Sequence, residues 1–268
     1  MDLDIELTAE NFLEISSEQR LNILFLLNKK KLSLSKIAKE LDASPSEVHR
    51  NISRLLKSSL IEKNSDSNFC LSTLGKVICL IIPSFSFVTA NRSFFEKHDL
   101  GNLETKFVQR LGSLEDHKKI KGFVKVLEKW RNIHENSEKY IFNLLSEVPY
   151  SKEIIETVEN KLESGILIRS IFSESTIVPE DRKKIFEQKN FRKFVSDGIL
   201  ERRMIKNISI VTLLNEKEAG IIFPSKNGEP DLSEMFYSTD PQFHDWCFDF
   251  FNFCWEHSGS FQENKLDK

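Results

Sequence analysis

The hydrophobic pattern is clearest in two short stretches near the N-terminus, residues 33–41 and 44–57, where apolar residues recur at helical spacing. The apolar positions of the two stretches are Ile37, Ala38, Leu41, Val48, Ile52, Leu55 and Leu56. Only residues 42–43 separate the stretches, and so short a break forces two helices to cross steeply. The spacing predicts a helix-turn-helix, although any small helical hairpin would show the same apolar pattern.

The start of the second helix carries three agreeing signals. Ser44 can accept hydrogen bonds from free N–H groups, Pro45 suits the first helical position, and Glu47 can reach back to the cap. The face opposite the apolar positions consists of hydrogen-bonding or positive side chains, namely Ser46, His49, Arg50, Ser53, Arg54 and Lys57. The second helix of a helix-turn-helix enters the major groove of DNA, so this face is a candidate DNA-reading surface.

A hairpin is predicted directly after these helices. Residues 60–63 form its first strand, residues 64–68 have turn chemistry, and residues 69–71 form its second strand. An earlier helix over residues 16–28 opens with a capping box. Helices followed by a hairpin predict a winged helix-turn-helix domain over residues 1–82.

Strands alternate with helices from residue 139 onward. Apolar runs predict strands at 140–144, 166–172, 199–205, 208–214 and 219–223. Stripes at helical spacing predict helices at 151–163, 179–188 and 240–259. The broad aromatic stripe of the last helix is more typical of a core than of a cofactor site. We therefore predict an α/β domain with a mixed sheet covered by helices over residues 139–259.

The stretch between the two predicted domains is charged and helical in pattern. It covers residues 83–138 and is most simply a helical connector. Connector helices often carry the subunit contact in dimeric regulators, and the sequence does not indicate which face would do so. Residues 260–268 are predicted to form a flexible tail.

Charge is unevenly distributed along the 268 residues, although the formal net charge is only −3. Residues 20–63 contain ten Lys or Arg and four Asp or Glu. The first 18 residues contain six acids and no base. The basic excess therefore coincides with the predicted DNA-binding unit, where phosphate contacts would need it.

Cysteine usage and hydropathy favour a cytoplasmic protein. None of the four cysteines forms a CxxC pair, and no histidine lies at zinc-finger spacing, so we expect reduced, packed thiols and no metal. The N-terminus is acidic and lacks the apolar core of a signal peptide. The most apolar run, residues 77–88, is short for a bilayer span and contains Pro83. We interpret it as a buried linker or a dimer surface.

A series of longer phrases makes the chain resemble a known family. They are RSFFEKHDL with RLGSL, EVPYSKEI, GILIRSIFSE, GILERRMI, VTLLNEKEAGIIFPSKNGEPD and FYSTDPQFHDWCFDFFNFCW. With the N-terminal winged helix, they resemble archaeal winged-helix transcriptional regulators with a C-terminal effector domain, a group that includes the methanogenesis (filament) regulators. The effector domain also resembles, at the level of fold, the phospholipase-D-like sensor domain of sugar-responsive archaeal regulators.

The resemblance implies a transcription factor that binds double-stranded DNA and senses a signal through its C-terminal domain. We expect a homodimer in which each recognition helix reads one half of a pseudo-palindromic operator. An alternative is a signalling module whose winged helix docks a partner protein. The two hypotheses differ in the salt dependence of DNA binding.

Candidate binding residues fall into two sets. The expected DNA contacts are Ser44, Ser46, His49, Arg50, Ser53, Arg54, Lys57, Lys63 and Asn68. The expected contacts to a polar or anionic small-molecule effector are Arg169, Glu174, Arg202, Arg203, His244 and Trp246. For any single member of the second set, the preferred interpretation is a structural ion pair, a solvent-facing strand residue or part of the core, and the ligand pocket is predicted only for the six as a set.

Catalysis is not expected from the sequence. A phospholipase-D-type site needs a histidine, a lysine two residues later and a following aspartate, and the pair His117–Lys119 has no aspartate at that spacing. There is also no glycine-rich phosphate loop, no GxSxG elbow and no metal-spaced cluster. We therefore expect no cofactor and no membrane partner.

Overall fold

A computed structural model describes residues 4–147, 152–176 and 191–262 and divides the chain into two compact units. The first unit is Met1–Pro83 and the second is Ser84–Lys268. The boundary lies one residue from the predicted end of the first domain. It falls inside a long helix, so no linker sequence marks it.

The first unit contains four helices, a hairpin and the start of a fifth helix. Their bounds are α1 Ile5–Ile15, α2 Glu18–Lys29, α3 Leu34–Glu40, α4 Pro45–Lys57, β1 Ile61–Lys63, β2 Phe69–Leu71 and α5 Thr73–Ala90. The order agrees with the predicted one, with α1 added at the N-terminus. The capping box predicted at Ser16 is wrong, because Ser17 precedes α2 and makes no side-chain cap hydrogen bond.

The core of the first unit comes from one face of each helix. Ile37 of α3 and Val48 of α4 are fully buried, as are Ile23 and Leu24 of α2. Residues 41–44 connect α3 to α4, rather than the two residues that the sequence predicted, and Asp42 takes a positive φ of 47° in this turn. These contacts fix which side of α4 remains exposed.

The second unit contains an eight-stranded mixed sheet with helices on both faces. Its strands are β3 Lys118–Lys121, β4 Tyr140–Leu145, β5 Leu167–Ser173, β6 Leu200–Ile205, β7 Val211–Asn215, β8 Ala219–Ile222, β9 Glu234–Ser238 and β10 Gly259–Ser260. The strand order is β10-β6-β5-β4-β7-β8-β9-β3. Strands β4, β5 and β6 pair in parallel, and the other pairs are antiparallel.

Helices cover the two faces of this sheet in separate groups. They are α6 Arg92–Phe95, α7 Thr105–Val108, α8 Phe123–Glu135, α9 Lys152–Glu163, α10 Phe191–Ser196 and α11 Pro241–Glu256. Side chains that alternate along a strand enter different cores, as Leu214 packs with the aromatic residues of α11 whereas Leu213 packs with α8 and α9. The predicted mixed sheet covered by helices is therefore present.

The stretch predicted as a connector, residues 83–138, lies almost wholly inside the second unit. Strand β3 is at the edge of the sheet and pairs with β9. Trp130 of α8 and Phe107 of α7 are buried in its cores. The sequence could not show this, because an amphipathic helix with one charged face looks the same on a sheet as in a connector.

Other predicted boundaries shift as well. The strand predicted at 208–214 is observed as β7, Val211–Asn215. The predicted tail begins inside β10, which pairs with β6. The helix predicted at 179–188 lies outside the described residues.

Replacing Phe251 by Ala should lower the free energy of unfolding by about 3–5 kcal/mol, because the ring is fully buried and stacks on Phe142 at a centroid distance of 4.7 Å. Phe123→Ala, at a position that is 52% exposed, should change it by about 0.5 kcal/mol or less. Chemical denaturation measures both. Equal losses for the two variants would contradict this assignment of the core.

Candidate functional sites

The outer face of α4 carries all six polar residues predicted for it. They are Ser46, His49, Arg50, Ser53, Arg54 and Lys57, and each is exposed. Ser44 caps the helix by accepting a hydrogen bond from the Glu47 N–H at 3.3 Å. The opposite face is buried, so the structure brings these six side chains together on one surface.

Two further predicted contacts, Lys63 and Asn68, lie on the hairpin. Lys63 is exposed at the end of β1, opposite Phe69 of β2. Asn68 is half-buried, and its N–H donates to the Asn64 side chain at 2.9 Å, which closes the turn. Asn68 therefore supports the hairpin backbone, and Lys63 presents a positive charge on the same hairpin.

Arg54 is the one predicted DNA contact with an ion pair among the described residues. Its Nε and Nη2 donate to the two carboxylate oxygens of Glu14 in α1 at 2.9 and 2.8 Å. We call this pair the Glu14–Arg54 clasp. The hydrogen bond from Arg54 lowers the pKa of Glu14, and the same bond raises the pKa of Arg54. Sequence reasoning missed Glu14 because it read the acidic N-terminus only as a bulk charge.

Two buried polar residues hold α1, α2 and α4 together. The Arg20 side chain of α2 donates to the backbone carbonyls of Leu13 and Glu14 at the end of α1. Asn51 of α4 donates to the Gln19 side chain of α2 and to the Glu47 carbonyl. These bonds satisfy buried polar groups and fix the rotation of α4 about its own axis.

The residues predicted to bind an effector do not form one site, although three of them lie close to the sheet edge. Arg169 donates to Glu201 at 3.0 Å, and its guanidinium lies over the Trp255 ring at 5.2 Å. Arg203 lies over the same ring at 4.3 Å and donates to the Trp255 carbonyl. Arg202 points to the other face of β6 and lies over the Phe261 ring at 4.3 Å.

The other three predicted effector residues lie elsewhere in the unit. Trp246 is fully buried, and its indole N–H donates to the Phe107 carbonyl at 3.2 Å. The His244 Nε2 lies 2.7 Å from the Asn215 carbonyl. Glu174 is exposed just after β5. The six residues therefore lie at different positions in the second unit and do not share one pocket.

A cavity of about 540 Å³ opens at a different place in the second unit. Its wall comes from the end of α8, the segment leading into β4, the end of α9, the β7–β8 hairpin and the end of β9. The lining residues are Glu135, Asn136, Ser137, Glu138, Lys161, Lys217, Glu218, Tyr237 and Thr239. None was predicted, because the sequence NEKE around Glu218 reads as a solvated hairpin turn.

Glu218 is the buried acid of this cavity, with 4% of its surface exposed. Its Oε1 accepts from the Asn136 side chain at 2.7 Å, and its Oε2 accepts from the Tyr237 hydroxyl. Burial and the Glu218 carboxylate raise the pKa of Tyr237, so the phenol stays a hydrogen-bond donor. Two neutral donors therefore hold a buried carboxylate at the wall of the cavity.

The Glu14–Arg54 clasp should open in acid. Because the pKa of Glu14 in the folded chain is depressed, the stability that the clasp gives to α1 is present above the ordinary glutamate value of 4.5. It is lost as the pH falls through the lowered pKa. Hydrogen-exchange protection of α1, corrected for intrinsic exchange, should fall in that window.

Glu14→Gln should show reduced α1 protection even at neutral pH. Glu10→Gln, an exposed position on the same helix, should keep the wild-type profile. A Glu14→Gln variant that matched the wild type at every pH would show that the clasp does not stabilise α1.

Comparison with known proteins gives one family match. Residues 11–87 match the N-terminal domain of the methanogenesis regulatory protein FilR1. No curated protein sequence matches the chain.

Three solved structures are distantly similar to this chain. TrmBL2, an archaeal chromatin protein that binds DNA, is 11% identical with a TM-score of 0.41, over 91% of this chain and 94% of its own. Nuc from Salmonella typhimurium, a phospholipase D family member, is 8% identical with a TM-score of 0.38, over 51% and 90%. Phosphatidylserine synthase from Haemophilus influenzae is 10% identical with a TM-score of 0.41, over 57% and 41%.

These low TM-scores carry no argument about activity. The family match instead agrees with the resemblance drawn from the sequence. Over residues 11–87 this chain is similar to the N-terminal domain of the methanogenesis regulatory protein FilR1.

Proposed function

We propose that this chain is a sequence-specific DNA-binding transcriptional regulator. The observation that carries the proposal is the outer face of α4, where six polar or positive side chains are exposed together in a domain of a regulatory protein family. Helices α3 and α4 with the β1–β2 hairpin act as a winged helix-turn-helix. Helix α4 enters the major groove, and the hairpin lies along the backbone.

The side chains divide by reach into base contacts and phosphate contacts. His49, Arg50, Ser53 and Arg54 contact base edges, and an arginine can donate two hydrogen bonds to a guanine. Ser44, Ser46, Lys57, Lys63 and Asn68 contact phosphates or support the groove contact. Among the described residues, Arg50, Lys57 and Lys63 have no ion-pair partner, so their charges are available to DNA.

The Glu14–Arg54 clasp has a direct bearing on this interface. Arg54 gives two of its five N–H groups to Glu14, one from Nε and one from Nη2, so a contact to guanine through Nε needs the pair to open, whereas a contact through Nη1 and Nη2 does not. Half of the Arg54 side chain (50%) is accessible to solvent. Because an ion pair this exposed is weak, replacing Glu14 by DNA as the partner of Arg54 costs little free energy.

Dimerisation is supported by the outer face of α5 within the first unit. Leu74, Val77, Leu80 and Ile81 recur at helical spacing and are 39%, 45%, 75% and 59% exposed. A single copy leaves this stripe in water, and a second copy would cover it. Two α4 helices held in one dimer could then read the two halves of a pseudo-palindromic operator.

Helix α5 is also long and apolar enough, by length and composition, to cross a membrane. Its own contacts favour a cytoplasmic dimer. Cys79 packs in the core of the first unit, and Phe87 packs in a core of the second. Ser86 donates to the Glu115 carboxylate at 3.0 Å, a charged neighbour that a bilayer would penalise.

A regulatory role needs no catalysis. The histidine of the His-x-Lys pair, His117, makes contacts that are typical of a structural residue. The His117 Nδ1 lies 2.7 Å from the Leu114 carbonyl, and its ring packs against Phe236. Burial lowers the pKa of His117. We propose that control instead reaches α4 from a small molecule bound to the second unit.

The double variant Arg50→Ala with Arg54→Ala should abolish specific DNA binding and leave the fold intact, since both side chains are exposed. Loss of one bidentate arginine contact alone costs about 1–3 kcal/mol. Selection of bound genomic fragments identifies the operator, and a gel-shift assay measures the affinity. Arg92→Ala, an exposed arginine of the second unit, is the matched control.

Unchanged operator affinity in the double variant would overturn the assignment of α4. The same assay at rising salt concentration distinguishes a DNA-binding regulator from a module that docks a partner protein. DNA binding that falls steeply with salt supports the regulator. Binding that ignores salt and sequence favours a module that docks a partner protein.

Leu80→Lys combined with Ile81→Lys should convert the dimer into a monomer, because two charges would be buried at the subunit contact. Sedimentation equilibrium measures the mass, and Val124→Lys, at a position of α8 that is 76% exposed, serves as the control. A wild-type monomer, or a variant that stays dimeric, would refute the α5 interface.

A further inference from the structure

The wall of the 540 Å³ cavity in the second unit contains five charged residues, and three of them form ion pairs with nearby residues. Glu135 pairs with Arg131 at 3.3 Å, one turn earlier in α8. Lys217 pairs with Glu138 across the mouth of the hairpin. Two charges of opposite sign remain, Lys161 and Glu218.

The buried Glu218 side chain lies between two hydrogen-bond donors. Both of its oxygens accept hydrogen bonds, one from the Asn136 side chain and one from the Tyr237 hydroxyl. Among the described residues, no Lys, Arg or His lies within ion-pair distance of it. A carboxylate this deeply buried normally has a cationic partner.

Lys161 supplies the complementary charge. It lies near the end of α9, and its ammonium donates to the Ser137 carbonyl at 2.7 Å. In the part of the chain that the structure describes, no carboxylate is within ion-pair distance of this ammonium. A carbonyl leaves the positive charge uncompensated, and two of the three ammonium N–H donors remain for a ligand.

We propose that this cavity binds a small zwitterion that carries one ammonium and one carboxylate group, the chemistry of a free amino acid or a short peptide. The ligand's ammonium pairs with Glu218, and its carboxylate pairs with Lys161. Thr239 and Asn136 provide further polar contacts at the wall. The volume lies within the range of small-molecule sites.

Other ligand classes fit the wall less well. All nine lining residues carry polar groups, and an apolar molecule would leave the free donors of Lys161 without a partner. A simple anion would bind next to the buried Glu218 carboxylate. Within the described residues there is no group of three or more His, Cys, Asp or Glu side chains suited to a metal ion.

The test is direct binding to the full-length protein without DNA. The probes are the free α-amino acids and a set of dipeptides, which separate the two charges by different distances. Thermal shift identifies binders at millimolar concentration, and calorimetry gives the dissociation constant. At least one probe should bind, whereas the corresponding amine without a carboxylate and the carboxylate without an amine should bind more weakly.

Lys161→Gln and Glu218→Gln should each raise the dissociation constant about tenfold or more, because each removes one charge-assisted hydrogen bond. Lys206→Gln, an exposed lysine of the same unit, should leave it unchanged. Lys161 is only half-buried, so Lys161→Gln should fold. It can therefore test the site even if Glu218→Gln fails to fold. The site is refuted if no probe binds, or if binding survives Lys161→Gln.

The role of the zwitterion as the effector rests on the proposed function, and a separate measurement addresses it. Operator affinity is measured with and without the bound probe. Binding of the probe together with a change in operator affinity supports both proposals. A chain that binds the probe but no DNA keeps the cavity assignment and overturns the proposed function.

Discussion

Burial of the inner face of α4 is the interaction on which the candidate DNA surface depends. Val48, Ile52 and Leu55 are at most 2% exposed, and burying such a side chain is worth roughly 1.5–3 kcal/mol. With 3.6 residues per turn, fixing these three inward also fixes which residues point outward. Arg50 and Lys57 therefore reach solvent without needing a contact of their own, and their identity is free to serve recognition.

Polar contacts then set the rotation of this helix more sharply than hydrophobic burial could. Asn51 lies at the edge of the buried face and bonds to Gln19 and to the helix backbone, an arrangement that a small rotation would break. Arg20 joins the first two helices in the same way. The acidic helix α1 is thereby held beside the basic face of α4, with Glu14 on Arg54. Helix α1 thus both packs beside α4 and holds one of its arginines.

In the second unit a charged side chain is buried instead of exposed, because Glu218 lies inside the fold. Its sheet has helices on both faces, and the strand ends and helix ends meet where Glu218 is buried. The desolvation of that carboxylate is offset by donors from Asn136 and Tyr237. The half-buried arginines that the sequence had suggested, Arg169, Arg202 and Arg203, instead pack over aromatic rings or pair within the fold.

The sequence by itself determined the local elements, such as α4, predicted at 44–57 and observed at Pro45–Lys57. Caps, turns and helical spacing act over a few residues and can be read directly. Only the tertiary structure decided which charges meet. Glu14 and Arg54 are 40 residues apart, and Asn136 and Glu218 are 82 apart. Such pairs depend on the path of the chain, and so does the placement of β3 in the sheet rather than in a connector.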